Sequence, residues 1–366
     1  MTDSGLTVLG GGNAAFAVAA KLALDGARVT LCELPDFRPM VAPIETDGAI
    51  ELLGVAGQGI ASLAGVTTDF AAALAEHELV LLIIPSYGHR AFAAACAGHL
   101  QSGQVVVLMP GNLGALEFAR LVREQGGPAD LVVAETDTAP YVCRKTAPRQ
   151  ATIWGVVSGM GLGVFPATAT ERVRSLVDRW FPGVQTYPHV VACGLSAMNP
   201  VVHPAGVLVN AGRIERARGE FYFYDEGVTP SACRLIEAVD RERRAIGAAL
   251  GLELTPVDEA LPWAGFGPRG DLWSTINGSQ MLTALRAPGQ VDTRWLTEDV
   301  PYGIATWAAL GQQQGVACPL LESLVDVTSA MLGRDFRAQM RTLGDLGIDG
   351  MSREQLDPYL ATGALI

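Results

Sequence analysis

An α/β fold, a doubly wound parallel sheet followed by a mostly α-helical domain, is predicted by three features of this 366-residue chain. A glycine-rich turn joins a first apolar run to an alanine-rich helical segment. Short aliphatic runs then alternate with amphipathic segments through the first half, as expected of parallel strands covered on both faces. After Pro188 long stretches of helical periodicity take over. The boundary is placed near residue 185, giving domains of residues 1–185 and 186–366.

Residues 6–9 (Leu-Thr-Val-Leu) read as the first strand, 13–25 as a helix closed by Gly26, and 28–33 as the second strand. The aliphatic runs at 80–84, 105–109, 131–134 and 151–157 read as further strands. Residues 35–65 show no clear period and are assigned no element. A helix is expected over 168–180. The second half then carries helices over 204–218, 231–250, 302–314 and 320–331.

Composition narrows the function. Hydrophobic residues at 49% and charged ones at 17% fit a well-packed globule. A net charge of −12 without any basic run argues against a nucleic-acid partner or an anionic membrane surface. Anionic small molecules would need local arginines. The apolar runs are too short to cross a bilayer. The six cysteines form no CxxC pair and no cluster with histidine, which predicts reduced thiols, no metal site and a cytoplasmic location. No secretory leader is legible at the N-terminus. A homodimer through the helical half is compatible with the sequence, although no apolar stripe identifies its face.

The turn Gly10-Gly11-Gly12-Asn13-Ala14-Ala15 fits G-x-G-x-x-A between a strand and a helix. Gly10 permits the tight turn, Gly12 lets backbone approach a pyrophosphate, and Ala15 lets helix and strand pack closely. The free N–H groups of Asn13, Ala14 and Ala15 would bind the phosphates. Glu33, ending the second strand, would accept hydrogen bonds from the adenosine ribose and repel a 2′-phosphate. These residues predict a Rossmann-type domain that prefers NAD, with Arg38 nearby keeping NADP open. Pro85, in the loop after the run at 80–84, is expected on the cofactor rim, as is Pro110-Gly111-Asn112. His89 is ranked below His203 as a catalytic candidate.

His203-Pro204 opens the helical half. Pro204 suits a first helical position, which makes His203 the expected N-cap. Asn210 follows two turns later, on the same face. An imidazole exchanges protons near neutral pH, a carboxylate fixes its tautomer, and an arginine fork holds a carboxylate. Arg294, Glu298 and Asp299, just ahead of Val300-Pro301-Tyr302-Gly303, supply the last two types. Read as acids at a helix start, Glu298 and Asp299 are explained by the helix dipole, but Arg294 beside Trp295 is not.

At these residues the chain resembles the opine dehydrogenase family (octopine, nopaline and N-carboxyethyl-amino-acid dehydrogenases). The resemblance spans nearly the whole length. It is carried by the glycine fingerprint, His203-Pro204 with Asn210, Phe221-Tyr222-Phe223-Tyr224 with Glu226-Gly227-Val228-Thr229-Pro230, Arg294 with Asp299, and the tail from Asp335 to Leu343. It implies NAD(P)H-dependent reductive condensation of an L-amino acid with a 2-oxo acid such as pyruvate. It also implies His203 as the catalytic histidine, Asp299 as its partner, and Arg294 as the substrate-binding arginine, with Asn210 beside them. Arg144 lies where the family carries an arginine; it either grips the second carboxylate or sits on the surface. Around Ser158-Gly159-Met160-Gly161 the likeness is looser, since some members carry a lysine there.

Two other readings compete. A ketopantoate- or glycerol-3-phosphate-type dehydrogenase shares this two-domain design but relies on a lysine, and Lys145 lies in no helical motif. A dinucleotide sensor without turnover would have no need of the histidine, carboxylate and arginine together. The loop over 261–280, with Trp263, Phe266 and Trp273, either lines the side-chain pocket or anchors a surface loop.

Overall fold

The computed structural model describes residues 5–364. The chain forms two compact units, one of residues up to Gly194 together with Leu360–Ala364, the other Leu195–Tyr359.

Among the described residues the first unit is built on twelve strands: β1 (Gly5–Leu9), β2 (Arg28–Cys32), β3 (Ala49–Gly54), β4 (Gly59–Ser62), β5 (Gly65–Thr67), β6 (Leu79–Leu82), β7 (Val105–Leu108), β8 (Val132–Thr136), β9 (Tyr141–Ala147), β10 (Gln150–Val156), β11 (Gly161–Phe165) and β12 (Gln185–Thr186). Eight make the main sheet, in the order β12-β11-β8-β7-β6-β1-β2-β5. All its neighbours run parallel except β8 and β11. Between its strands run α1 (Asn13–Leu24), α2 (Phe70–Leu74), α3 (His89–Ala97), α4 (Gly114–Glu124) and α5 (Thr170–Asp178), and α6 (Val190–Leu195) follows β12. The strand order reverses at β1 and β6, the crevice where open α/β sheets bind ligands. Small side chains bring α1 onto the sheet: Ala15, Ala17, Ala19 and Ala20 are all fully buried, with Phe16 among them.

Sequence and structure part company over the remaining strands. The run at 151–157, expected in the doubly wound sheet, is β10 and belongs to a second sheet, β4-β3-β10-β9. Only Pro148 and Arg149 separate β9 from β10, so the pair closes as an antiparallel hairpin. A parallel crossover would need a dozen residues or more. The stretch 35–65 supplies two 3-10 turns and then β3 and β4 of that sheet. These strands have one face in the core, and their mixed burial hid their period.

The second unit is helical: α7 (Asn199–Val209), α8 (Ala211–Ala217), α9 (Pro230–Ala249), α10 (Val257–Trp263), α11 (Leu272–Asn277), α12 (Gln280–Thr283), α13 (Arg294–Thr297), α14 (Ala305–Gln313) and α15 (Pro319–Leu332), with further helices after them. Two π-helical turns interrupt it, Phe223–Gly227 and Val300–Ile304. The helix expected over 204–218 starts five residues earlier and breaks at Asn210. Pro200 occupies its first turn, and Pro204 lies inside it. His203 is therefore not an N-cap. Within α9, Arg243 is fully buried and bonds Asp240 Oδ1 (2.6 Å from Nη2) as well as the carbonyls of Leu195 and Thr255. Among the described residues Val190–Val209 alone has the length and hydropathy of a membrane span. However, 83% of that window is buried inside the protein, as core helices are.

Candidate active site

In the first unit the glycine turn leaves β1 at the strand-order reversal. Gly10 has φ +118°, and a Cβ there would meet the Ile83 carbonyl oxygen at 2.7 Å, so glycine is obligatory. Beyond Gly12, by contrast, a Cβ would meet nothing within 4 Å. Gly12 caps α1 without a side chain, which leaves the first N–H groups of Asn13, Ala14 and Ala15 facing that open space. A pyrophosphate fits this cradle.

Glu33 sits at the end of β2, as expected, but its carboxylate is already at work. Oε2 accepts the Gly11 N–H at 2.6 Å and Oε1 the Leu34 N–H at 2.7 Å. Burial raises its pKa against the pull of those bonds. Each oxygen keeps a lone pair for a ribose hydroxyl. Glu33 thus shapes the loop as well as the pocket. Arg38 is exposed and paired with Glu45, Nε to Oε1 at 2.8 Å.

Pro85 is half-buried ahead of the turn Ser86–Gly88, past the end of β6. Asn112, on the neighbouring loop, donates to Ser86 Oγ at 3.0 Å. The start of α4 is closed to ligands, because buried Glu135 accepts the N–H groups of Leu113 and Ala115, both at 2.9 Å. His89 is fully buried, with its ring against Gly114. That position is structural.

The sequence places Lys145 in no helical motif. In the structure it ties β9 to the glycine turn. Its N–H donates to Asn13 Oδ1 at 2.9 Å, its ammonium donates to the Met40 carbonyl, and that ammonium lies 3.5 Å from the Phe16 ring centroid. Burial lowers its pKa to about 8.

The catalytic candidates meet in the second unit. His203 Nδ1 lies 2.8 Å from Asp299 Oδ2, across 96 residues of chain. Both side chains are mostly buried, at 12% and 7% exposure. The pairing depends on close approach of two elements: Gly303, in the second π-turn, lies so near α7 that a Cβ would meet Pro200 at 2.6 Å. A larger residue would push Asp299 away. Trp295 stacks on the imidazole, with centroids 4.5 Å apart and planes 10° apart, and Phe223 braces the indole edge-on at 4.8 Å. On the other ring nitrogen, Nε2 lies 3.1 Å from the Tyr224 hydroxyl. Burial and the charge of Asp299 both push the Tyr224 pKa up. The run Phe221-Tyr222-Phe223-Tyr224 carries part of the family resemblance, but the sequence assigns no role to Tyr224 or to Trp295. The signal available was the pairing of this run with a Glu-Gly turn.

The other predicted residues fall as follows. Arg294 is exposed on α13; its Nε holds Glu298 Oε2 at 3.0 Å, and its two terminal nitrogens have no protein partner among the described residues. Asn210 caps α7 and spends both amide hydrogens on carbonyls, Gly206 at 2.9 Å and Gly227 at 3.0 Å. It thereby ties the first π-turn to α7. Arg144 is exposed on β9, opposite Thr152, in the first unit. Among the described residues no His/Cys/Asp/Glu group could hold a metal.

A glycine turn that fits a dinucleotide in one unit and a His–Asp pair in the other are compatible with a nicotinamide-dependent oxidoreductase. Comparison with known proteins makes this specific. A family model for the "NAD/NADP octopine/nopaline dehydrogenase, alpha-helical domain" matches residues 186–332. Over 346 residues the chain is 32% identical to an opine dehydrogenase of Arthrobacter sp. (strain 1C), covering 94% of this chain and 95% of that one. The fold matches octopine dehydrogenase bound to NADH and L-arginine (TM-score 0.76, 19% identity, 98% of both chains). It also matches yersinopine dehydrogenase bound to NADP+ (TM-score 0.69, 15% identity, 97% of each chain). The chain belongs to the opine dehydrogenase family, NAD(P)-dependent oxidoreductases acting on CH–NH donors.

Proposed function

We propose that this enzyme joins an L-amino acid to a 2-oxo acid of pyruvate size and reduces the resulting imine to an N-(carboxyalkyl)amino acid, with His203 and Asp299 as the proton-transfer pair. The observation that carries this reading is the His203–Asp299 bond of 2.8 Å, with the imidazole held flat by Trp295.

The dinucleotide would be held by Gly10, Gly12 and the first turn of α1, with Glu33 at the adenosine ribose and Pro85 on the rim. When bound, its dihydronicotinamide supplies the hydride. Asp299 accepts the Nδ1–H of His203, which leaves the Nε2 lone pair as the base. That base takes a proton from the substrate ammonium, so the free amine can attack the keto carbon. The imidazolium, stabilised by Asp299, then returns the proton to the carbinolamine hydroxyl as water leaves. Arg294, anchored through Nε to Glu298, presents its terminal fork to a substrate carboxylate. The first unit is assigned to cofactor and the helical unit to substrate chemistry. Asn210 shapes the site through backbone, and Arg144 is left to the surface.

The test is NADH oxidation with pyruvate plus each amino acid in turn, repeated with His203→Ala. Oxidation that needs no amino acid, or undiminished activity in His203→Ala, defeats this reading. Arg294→Ala should raise KM for one carboxylate substrate by about 10-fold or more, as expected for loss of a charge-assisted bond of roughly 1.5–3 kcal/mol; an unaltered KM removes its role.

A further inference from the structure

Both nitrogens of the His203 ring are engaged by protein groups, Nδ1 by Asp299 and Nε2 by the Tyr224 hydroxyl. A substrate can therefore reach the basic lone pair in two ways only: by displacing the phenol, or through it. Displacement is unfavourable. The Tyr224 side chain is 5% exposed and meets Phe223 edge-on at 5.1 Å, and the Trp295 centroid lies 6.2 Å away. Its π-turn is held at the far end by the Asn210–Gly227 bond. Rotation of the hydroxyl about its C–O bond, by contrast, disturbs no packing. Among the described residues the Tyr224 oxygen has no second hydrogen-bond partner, so a phenol that donates to Nε2 keeps its lone pairs uncommitted.

We propose that Tyr224 is a catalytic residue: its hydroxyl carries the proton between the substrate nitrogen or oxygen and His203. In amine activation, the substrate ammonium N–H bond breaks as an O–H bond forms on Tyr224. The original phenolic O–H breaks at the same time, and an N–H bond forms at Nε2. The positive charge moves from the substrate to the imidazole beside Asp299, and the phenol is neutral before and after. The return step reverses this order. The Nε2–H proton passes to the phenol oxygen, the phenol proton passes to the carbinolamine hydroxyl, and water departs. The raised pKa of Tyr224 agrees with a phenol that relays protons without ionising. The identity of the proton donor rests on the proposed amino-acid chemistry; the place of the phenol on Nε2 does not.

The experiment compares wild type, Tyr224→Phe and His203→Ala with the best amino acid and oxo acid pair. Tyr224→Phe keeps the ring packing, so its melting temperature and NADH binding should match wild type. Its kcat should fall about 10²–10³-fold, with KM values within about threefold. The dependence of kcat on D2O fraction should be curved in wild type, with two protons in flight, and linear in the variant. Unchanged or raised kcat in Tyr224→Phe overturns the relay, and so does a linear wild-type dependence. If the wild type turns over no such pair, the proposed function fails but the relay is still read by acylation of His203 with diethyl pyrocarbonate. This reagent needs the Nε2 lone pair, and the reacting site is assigned by its loss in His203→Ala. Tyr224→Phe should then react at least about 10-fold faster than wild type, and equal rates overturn the inference.

Discussion

In the proposed mechanism Asp299, 2.8 Å from Nδ1, decides which nitrogen of His203 carries the lone pair. Asp299→Asn retains the shape but removes the charge that stabilises the imidazolium. It should lower kcat about 10²–10⁴-fold with little change in melting temperature, measured by steady-state kinetics and thermal unfolding. The pairing of His203 with Asp299 was legible in the sequence because their types and setting resemble a family. Tyr224 was not, since a tyrosine in a run of aromatics is indistinguishable from core until its hydroxyl is seen against Nε2. Glu33 was half legible. Its place at the end of β2 followed from the fingerprint, whereas its bond to the Gly11 N–H depends on how the turn folds back.

At the scale of elements, both π-turns border the site: Tyr224 lies inside the first, and Asp299 caps the second. A π-turn holds one residue more than an α-helical turn, so deleting one residue from either should rotate what precedes it by about 100°. The sequence cannot announce such a turn, because its composition matches that of an ordinary helix start. The same limit displaced α7. His203-Pro204 looked like a cap and a first residue, yet Pro200 already fills the first turn and Pro204 costs the helix one internal bond. Asn210→Ala should remove both carbonyl contacts and destabilise the protein by about 1–3 kcal/mol, read by denaturant unfolding.

For the whole molecule, the doubly wound sheet was legible strand by strand wherever burial on both faces made continuous aliphatic runs. The second sheet was not, because its strands are half-exposed and its order comes from a hairpin and a distant pairing of β3 with β10. Buried charged groups are sensitive to substitution. Arg243→Ala leaves Asp240 to Arg244 alone and removes the donor to the Leu195 and Thr255 carbonyls, so it should cost about 1–3 kcal/mol or more, read by denaturant unfolding. Asp137 accepts the Gly161 N–H at 2.9 Å and the Tyr187 hydroxyl at 2.8 Å, yet burial raises its pKa to about 7. Its native pKa lies above the unfolded value of about 3.9, so the folded state binds the extra proton between the two. The stability Asp137 contributes is therefore full below about pH 4 and is lost as the pH rises through 7. Asp137→Asn should flatten the decline in melting temperature between about pH 5 and 8. An identical decline in the variant would refute this.

Lys145 has a practical consequence. Of the 26 lysines and arginines only two are lysines, and the other, Lys21, is paired with Asp25. With its pKa lowered to about 8 by burial, Lys145 holds a larger share of free amine near neutral pH than an ordinary lysine. Its ammonium sits against the Phe16 ring while its backbone N–H holds Asn13, so an amine-reactive probe that reached it would lie directly on the glycine turn.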